Sequence, residues 1–284
     1  METVQPTPPL ESHAEQHGLQ LRWLLSWKSL LLATLGLLLL VWLNYTPGGL
    51  LGKADAIGYA VCHRIDVRSF HMGVRQLPLC ARCSGMYLGT LLGLAFLAVI
   101  GPRRGGMPSR RLLAVFGMLA VAFAIDGLNS YLHFFPNAPG LYEPNNTLRL
   151  LTGTGVGLGI AAVVYPAFNQ TAWKQWDPRP ALGSMRQLVV LIGLGLVLDL
   201  LILSENSLIL YPLALLSAGG VLILLSIVYG MVLMMLFKAE NKLQHLSQLI
   251  WPLAGGLMLA IIQIGLLDFG RYLLTGTWAG FKLG

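Results

Sequence analysis

Between Leu208 and Phe237 the chain runs without a single charged side chain, and six further apolar stretches resemble it. Runs of this length are what a bilayer demands: about 20 helical residues cross its hydrocarbon core, and the helix satisfies every backbone polar group internally. Only 11% of the 284 residues are charged, against roughly a quarter in soluble domains. The reading is an all-α, polytopic transmembrane helix bundle of about seven spans. They are expected near Trp23–Leu43, Ser84–Ile100, Leu112–Leu132, Leu148–Phe168, Gln187–Leu203, Leu208–Phe237 and Leu249–Leu267. The sixth exceeds what a bilayer needs, which predicts a tilt or a break near Gly219-Gly220. Glycines 153, 155, 157 and 159 line the fourth, and small residues four apart let helices approach closely, so this helix is expected at the centre.

Residues 1–20 are polar, Pro-containing and aperiodic, which predicts a flexible cytoplasmic tail before a transmembrane domain over 21–284. Ala54-Asp55-Ala56 lies too far beyond the first apolar run for a signal-peptide cleavage site, so that run reads as an uncleaved anchor. The net charge of +7 sits in short loops between spans, which fits topology signals and anionic headgroups and argues against nucleic acid. More Lys and Arg fall in the loops on the N-terminal side, among them Arg103, Arg104, Arg110, Arg111, Lys174 and Lys242. Lys53, Arg64, Arg68, Arg75 and Arg82 in the loop 44–83 weaken that asymmetry without reversing it. The expected arrangement is a multi-pass plasma-membrane protein with a cytoplasmic N-terminus and the loop 44–83 outside.

That loop holds the only three cysteines: Cys62-His63-Arg64, then Cys80-Ala81-Arg82-Cys83. A Cys-x-x-Cys pair opening a helix gains thiolate character from free N–H groups and the helix dipole, with Arg82 adding to it. Three cysteines and a histidine make a recognised structural zinc set, so Cys62, Cys80, Cys83 and His63 are the candidate ligands and zinc the candidate metal. His63 adjoins Cys62, an awkward geometry for one ion, and His71 is free to fold back. A redox-active thiol group and a structural disulfide staple are the alternatives.

Polar residues gather at the same depth. Asp126, Asn129 and His133 share a helical face, and Arg149 with Thr152 opens the next span, where it could neutralise Asp126. Asp126 and Arg149 are therefore the candidate catalytic pair, with Arg64, Arg68 and Arg82 attracting a small anion or an anionic lipid. Asp268 and Arg271 read as a local ion pair at a helix end. Nothing resembles a hydrolase triad or a phosphate loop. A transporter or channel is the other class of function, and the crowding of polar groups toward one surface argues against it.

The strings Cys62-His63-Arg64, Arg68-Ser69-Phe70, and Leu79 through Gly89 resemble the signature of the family called domain of unknown function 2085, polytopic membrane proteins of bacteria and archaea. Asp126-Gly127, Asn146-Thr147-Leu148-Arg149 and Thr152-Gly153 are similar to later parts of the same pattern. The resemblance covers residues 55 to 160. It implies a membrane location and a shared site made by Cys62, His63, Cys80, Cys83, Asp126 and Arg149, without implying a reaction. His71 and the spans after Phe168 fall outside it.

Overall fold

The computed structural model describes residues 26–135 and 140–280; the expected tail over 1–20 lies outside them. Eight α-helices are described: α1 (Trp27–Tyr45), α2 (Gly49–Val61), α3 (Ala81–Ile100), α4 (Arg110–Leu132), α5 (Asn146–Ala172), α6 (Met185–Leu203), α7 (Ser207–Leu236) and α8 (Ile250–Thr275). All but α2 are long and apolar enough to cross a membrane, giving the seven spans expected. Polar caps start several of them: the Asn145 side chain accepts the Leu148 N–H at 2.8 Å, and Asn206 accepts that of Leu208 at 2.9 Å. Gly276, at φ 64°, closes α8 in the left-handed conformation that terminates helices. α7 runs unbroken through Gly219-Gly220, which rules out the break and leaves the tilt of the two expected alternatives, because no proline interrupts it there.

The helices alternate in direction, so one end of the bundle carries the cysteine segment. That segment is more ordered than a loop. α2 buries Ala54, Ala56, Ile57 and Tyr59 against α7 and α8. A 3₁₀ turn at Asp66–Arg68 and a hairpin of β1 (His71–Met72) with β2 (Arg75–Gln76) follow. At the opposite end β3 (Arg104–Gly106) pairs in parallel with β4 (Asp177–Pro180).

The tightest seam joins α3 to α5. Gly85 and Gly89 on α3 oppose Gly153 and Gly157 on α5, and a Cβ at any of the four would collide with backbone of the facing helix. Spacing of four on both helices lets their backbones touch. Thr90 stitches the seam, donating to the Met86 carbonyl at 2.8 Å and across to Gly157 at 3.2 Å. Gly155 and Gly159 serve another neighbour, lying against Leu119 and Phe116 of α4. α5 is thus central, as expected from its glycines, while the matching glycines of α3 were not anticipated. Thr154 also donates to the buried Asp199 carboxylate at 2.6 Å, fastening α5 to α6.

Gly157→Val forces a side chain into the Met86 carbonyl, and overpacking of this kind costs about 1–3 kcal/mol. Unfolding in detergent is expected to show that loss, while Gly117→Ala, where the added methyl meets open space, stays within about 0.5 kcal/mol.

Candidate thiol and guanidinium site

Cys62 follows the last turn of α2 in extended conformation, Cys80 is the N-cap of α3, and Cys83 lies in the first turn of α3. The chain between them folds back through the hairpin, so thiols far apart in sequence meet. The three sulfurs all lie within 4.8 Å of one another. All three are free thiols, Cys62 and Cys80 buried and Cys83 half-buried. Cys62 Sγ accepts the main-chain N–H of Cys80 at 3.3 Å and of Arg64 at 3.4 Å. Arg64 supplies its N–H from a left-handed conformation, φ 51°.

These contacts shape the acidities. Hydrogen bonds from Cys80 and Cys83 hold the Cys62 thiol well below the ordinary thiol range, against the opposing effect of burial. Cys80, giving its proton toward Cys62, is pushed up to about 12. Cys62 is therefore the first sulfur to ionise.

His63 is not drawn into the sulfur cluster. Its Nδ1 accepts the Ile65 N–H at 2.9 Å, which fixes the ring against its own turn. Burial lowers its pKa; Cys62 opposes this, but the charges of Arg68, Arg82 and Arg149 push the same way as burial, so the imidazole stays neutral near pH 7. His71 points elsewhere, bonding Asp66 at 2.9 Å.

The buried carboxylate of Asp126 pairs with Arg82, where the sequence suggested Arg149. Its second oxygen accepts the Tyr142 hydroxyl at 2.9 Å, and Arg82 also donates to Ser130 Oγ at 3.2 Å. Arg82 wins because the α3–α5 seam fixes the first turn of α3 beside α5, from where its long side chain reaches across to Asp126 and Ser130 of α4. Asn129 fastens the segment that carries Tyr142: its side chain donates to the Tyr142 carbonyl at 2.8 Å and accepts the Leu141 N–H at 2.7 Å. Among the described residues His133 bonds back along its helix, to the Asn129 carbonyl.

Arg149 is 6% exposed and donates to Asn146 Oδ1 at 2.8 Å, while its Nε meets no acceptor among the described residues. Arg68 donates to the Ser130 carbonyl at 2.9 Å and lies over the Phe134 ring. Three guanidiniums thus crowd one carboxylate. Burial first, then repulsion from Arg149 and Arg82, lowers the Arg68 pKa, and Cys80 counters it. Arg64 stands apart, bound to Asp55 at 2.9 Å. Sequence reasoning missed Tyr142 and the Arg82 pairing, since neither follows from spacing along one helix.

Asp126 and Arg82 are expected to be energetically coupled. Asp126→Asn and Arg82→Met each strand a buried charge, at a cost of about 3 kcal/mol. The double variant should lose clearly less than the sum in detergent unfolding, and simple additivity would disprove the coupling.

The family model of a predicted membrane protein, DUF2085, matches residues 62–163, a stretch that holds all three cysteines, Asp126, Tyr142 and Arg149. An uncharacterised protein of Methanothermobacter thermautotrophicus is 32% identical over 103 residues, which are 36% of this chain and 83% of that protein. An uncharacterised protein of Methanocaldococcus jannaschii is 27% identical over 122 residues, 43% of this chain and 72% of that protein. No solved structure matches the chain.

Proposed function

The chain belongs to the DUF2085 family of predicted membrane proteins, and from that premise we propose that it carries a metal centre, with Cys62, Cys80 and Cys83 holding a zinc ion as thiolates. The observation that carries this reading is the convergence of the three sulfurs to within 4.8 Å. Tetrahedral zinc with Zn–S bonds of about 2.3 Å needs sulfurs roughly 3.8 Å apart, so a small contraction suffices. Three soft donors suit zinc, and main-chain N–H groups already directed at Cys62 Sγ are the outer contacts that thiolate ligands use. The depressed pKa of Cys62 supports a thiolate before any ion arrives.

Three protein ligands leave a fourth position for an outside ligand, the pattern of reactive rather than closed structural zinc sites. Arg68, Arg82 and Arg149 exceed the one carboxylate beside them, and this surplus of positive charge favours thiolates and an anion, either a small one or a lipid headgroup. In this reading Asp126 sets the orientation of Arg82, and Arg149 offers its Nε, which has no partner among the described residues. His63 serves as a neutral neighbour. A redox role for the same thiols is the second reading, favoured by their mutual hydrogen bonds and split acidities.

Elemental analysis of the purified protein decides between them. One zinc per chain is expected, lost in Cys80→Ser and in Cys83→Ser and kept in His63→Ala. A metal-free protein with two fast-alkylating thiols would instead establish the redox reading.

The excess of Lys and Arg at the opposite end of the bundle, once the arginines that serve the site are set aside, supports a cytoplasmic N-terminus and a site on the outer face of the plasma membrane. Val74 at the hairpin tip and Gln175 at the opposite end are both exposed. In intact cells an impermeant maleimide should label Val74→Cys and spare Gln175→Cys; the reverse pattern would invert the orientation.

A further inference from the structure

Away from the thiols, an apolar groove of about 680 Å³ lies between α1 and α8. Its lining includes the buried carboxylate of Asp268, 4% exposed. One oxygen of Asp268 takes the Trp42 indole N–H at 3.3 Å, and the other, buried, has no hydrogen-bond partner among the described residues. The Arg271 charge acts on Asp268 from one turn away, without the direct ion pair expected between them. Arg271 instead donates to the carbonyls of Tyr59 and Cys62, at 2.6 and 2.7 Å, capping the C-terminal end of α2. A carboxylate inside a membrane is costly, and an unmet acceptor oxygen adds to that cost, so such a group ordinarily faces a partner.

The groove states the partner's chemistry. An empty acceptor calls for a donor, and a carboxylate calls for a cation. Trp42, Tyr45, Tyr272 and Trp278 line it with aromatic rings, which attract cations through their faces. Leu38, Val41, Ile261 and Leu266 make the rest aliphatic, and Val41 and Leu266 are exposed where acyl chains would lie. Asp268 stands seven residues before the end of α8, about 10 Å below it at 1.5 Å per residue, within reach of a headgroup that dips inward.

We propose that this groove binds one molecule of a lipid with a primary-amine headgroup, its ammonium donating to the free oxygen of Asp268 and its chain lying along the aliphatic wall. A choline headgroup has the charge without the donor and leaves that oxygen unmet, so the site discriminates between the two. The proposal is independent of the metal centre.

The test is native mass spectrometry of the delipidated full-length protein with added phosphatidylethanolamine or phosphatidylcholine of identical chains. Wild type should retain one phosphatidylethanolamine with a preference on the order of tenfold, the size of one charge-assisted hydrogen bond. Asp268→Asn should erase the preference. Gly265→Leu fills the groove from a position where an added Cβ meets open space, so the protein folds and the lipid should be excluded. Both variants should keep the wild-type zinc content and thiol reactivity. Equal retention of the two lipids by wild type, or undiminished preference in Gly265→Leu, would overturn the proposal.

Discussion

The backbone contact between α3 and α5 holds the rest of the arrangement in register. Only glycine at 85, 89, 153 and 157 allows it, because a Cβ at each would strike the main chain opposite. In a bilayer the hydrophobic effect does not press helices together, and close van der Waals packing along small residues takes its place. The seam also sets the chemistry. The Gly153 Cα rests against the Arg82 carbonyl, so the first turn of α3, with Cys83 and Arg82, is fixed beside the first turn of α5, with Arg149. A shift of one turn along this seam would separate Arg82 from Asp126.

Charges buried in such a bundle need partners, and this one meets the need unevenly. Asp126 is engaged at both oxygens by Arg82 and Tyr142, and Asp199 takes one hydrogen bond from Thr154. Arg68 and Arg149 leave positive charge over beside the thiols, while Asp268 leaves an empty acceptor beside a groove. Each imbalance is expensive in low dielectric and becomes intelligible when a ligand of opposite character completes it. The thiol site and the groove share one mechanical link. Arg271, one turn beyond Asp268 on α8, holds the carbonyls of Tyr59 and Cys62, so the position of α8 bears directly on the first cysteine.

The spans were legible because hydrophobicity over some 20 residues is a local property that no tertiary contact reverses in lipid. The central place of α5 was legible for the same reason, from glycines at spacing four. The site was legible only in its ingredients. Cys62, Cys80 and Cys83 stood out as the only cysteines, and Asp126 as an acid in a span. Their partners were not legible, because Arg82 reaches Asp126 and Tyr142 reaches its other oxygen from separate elements. Arg149, a good guess by depth, pairs with Asn146 on its own first turn. The helix α2 escaped notice because 13 residues with Lys53 and Asp55 fall short of any membrane signal.

Read alone, the amino-acid order settled that this is a helical membrane protein with its polar chemistry gathered toward one end, since composition and period are carried by neighbouring residues. Which thiols, guanidiniums and acids touch was left to the folded chain. Such contacts join residues from 18 to more than 200 positions apart, as Cys80 to Cys62 and Arg271 to Tyr59 do. The order of packing around two glycine-lined helices chooses among them, and no local signal encodes that choice.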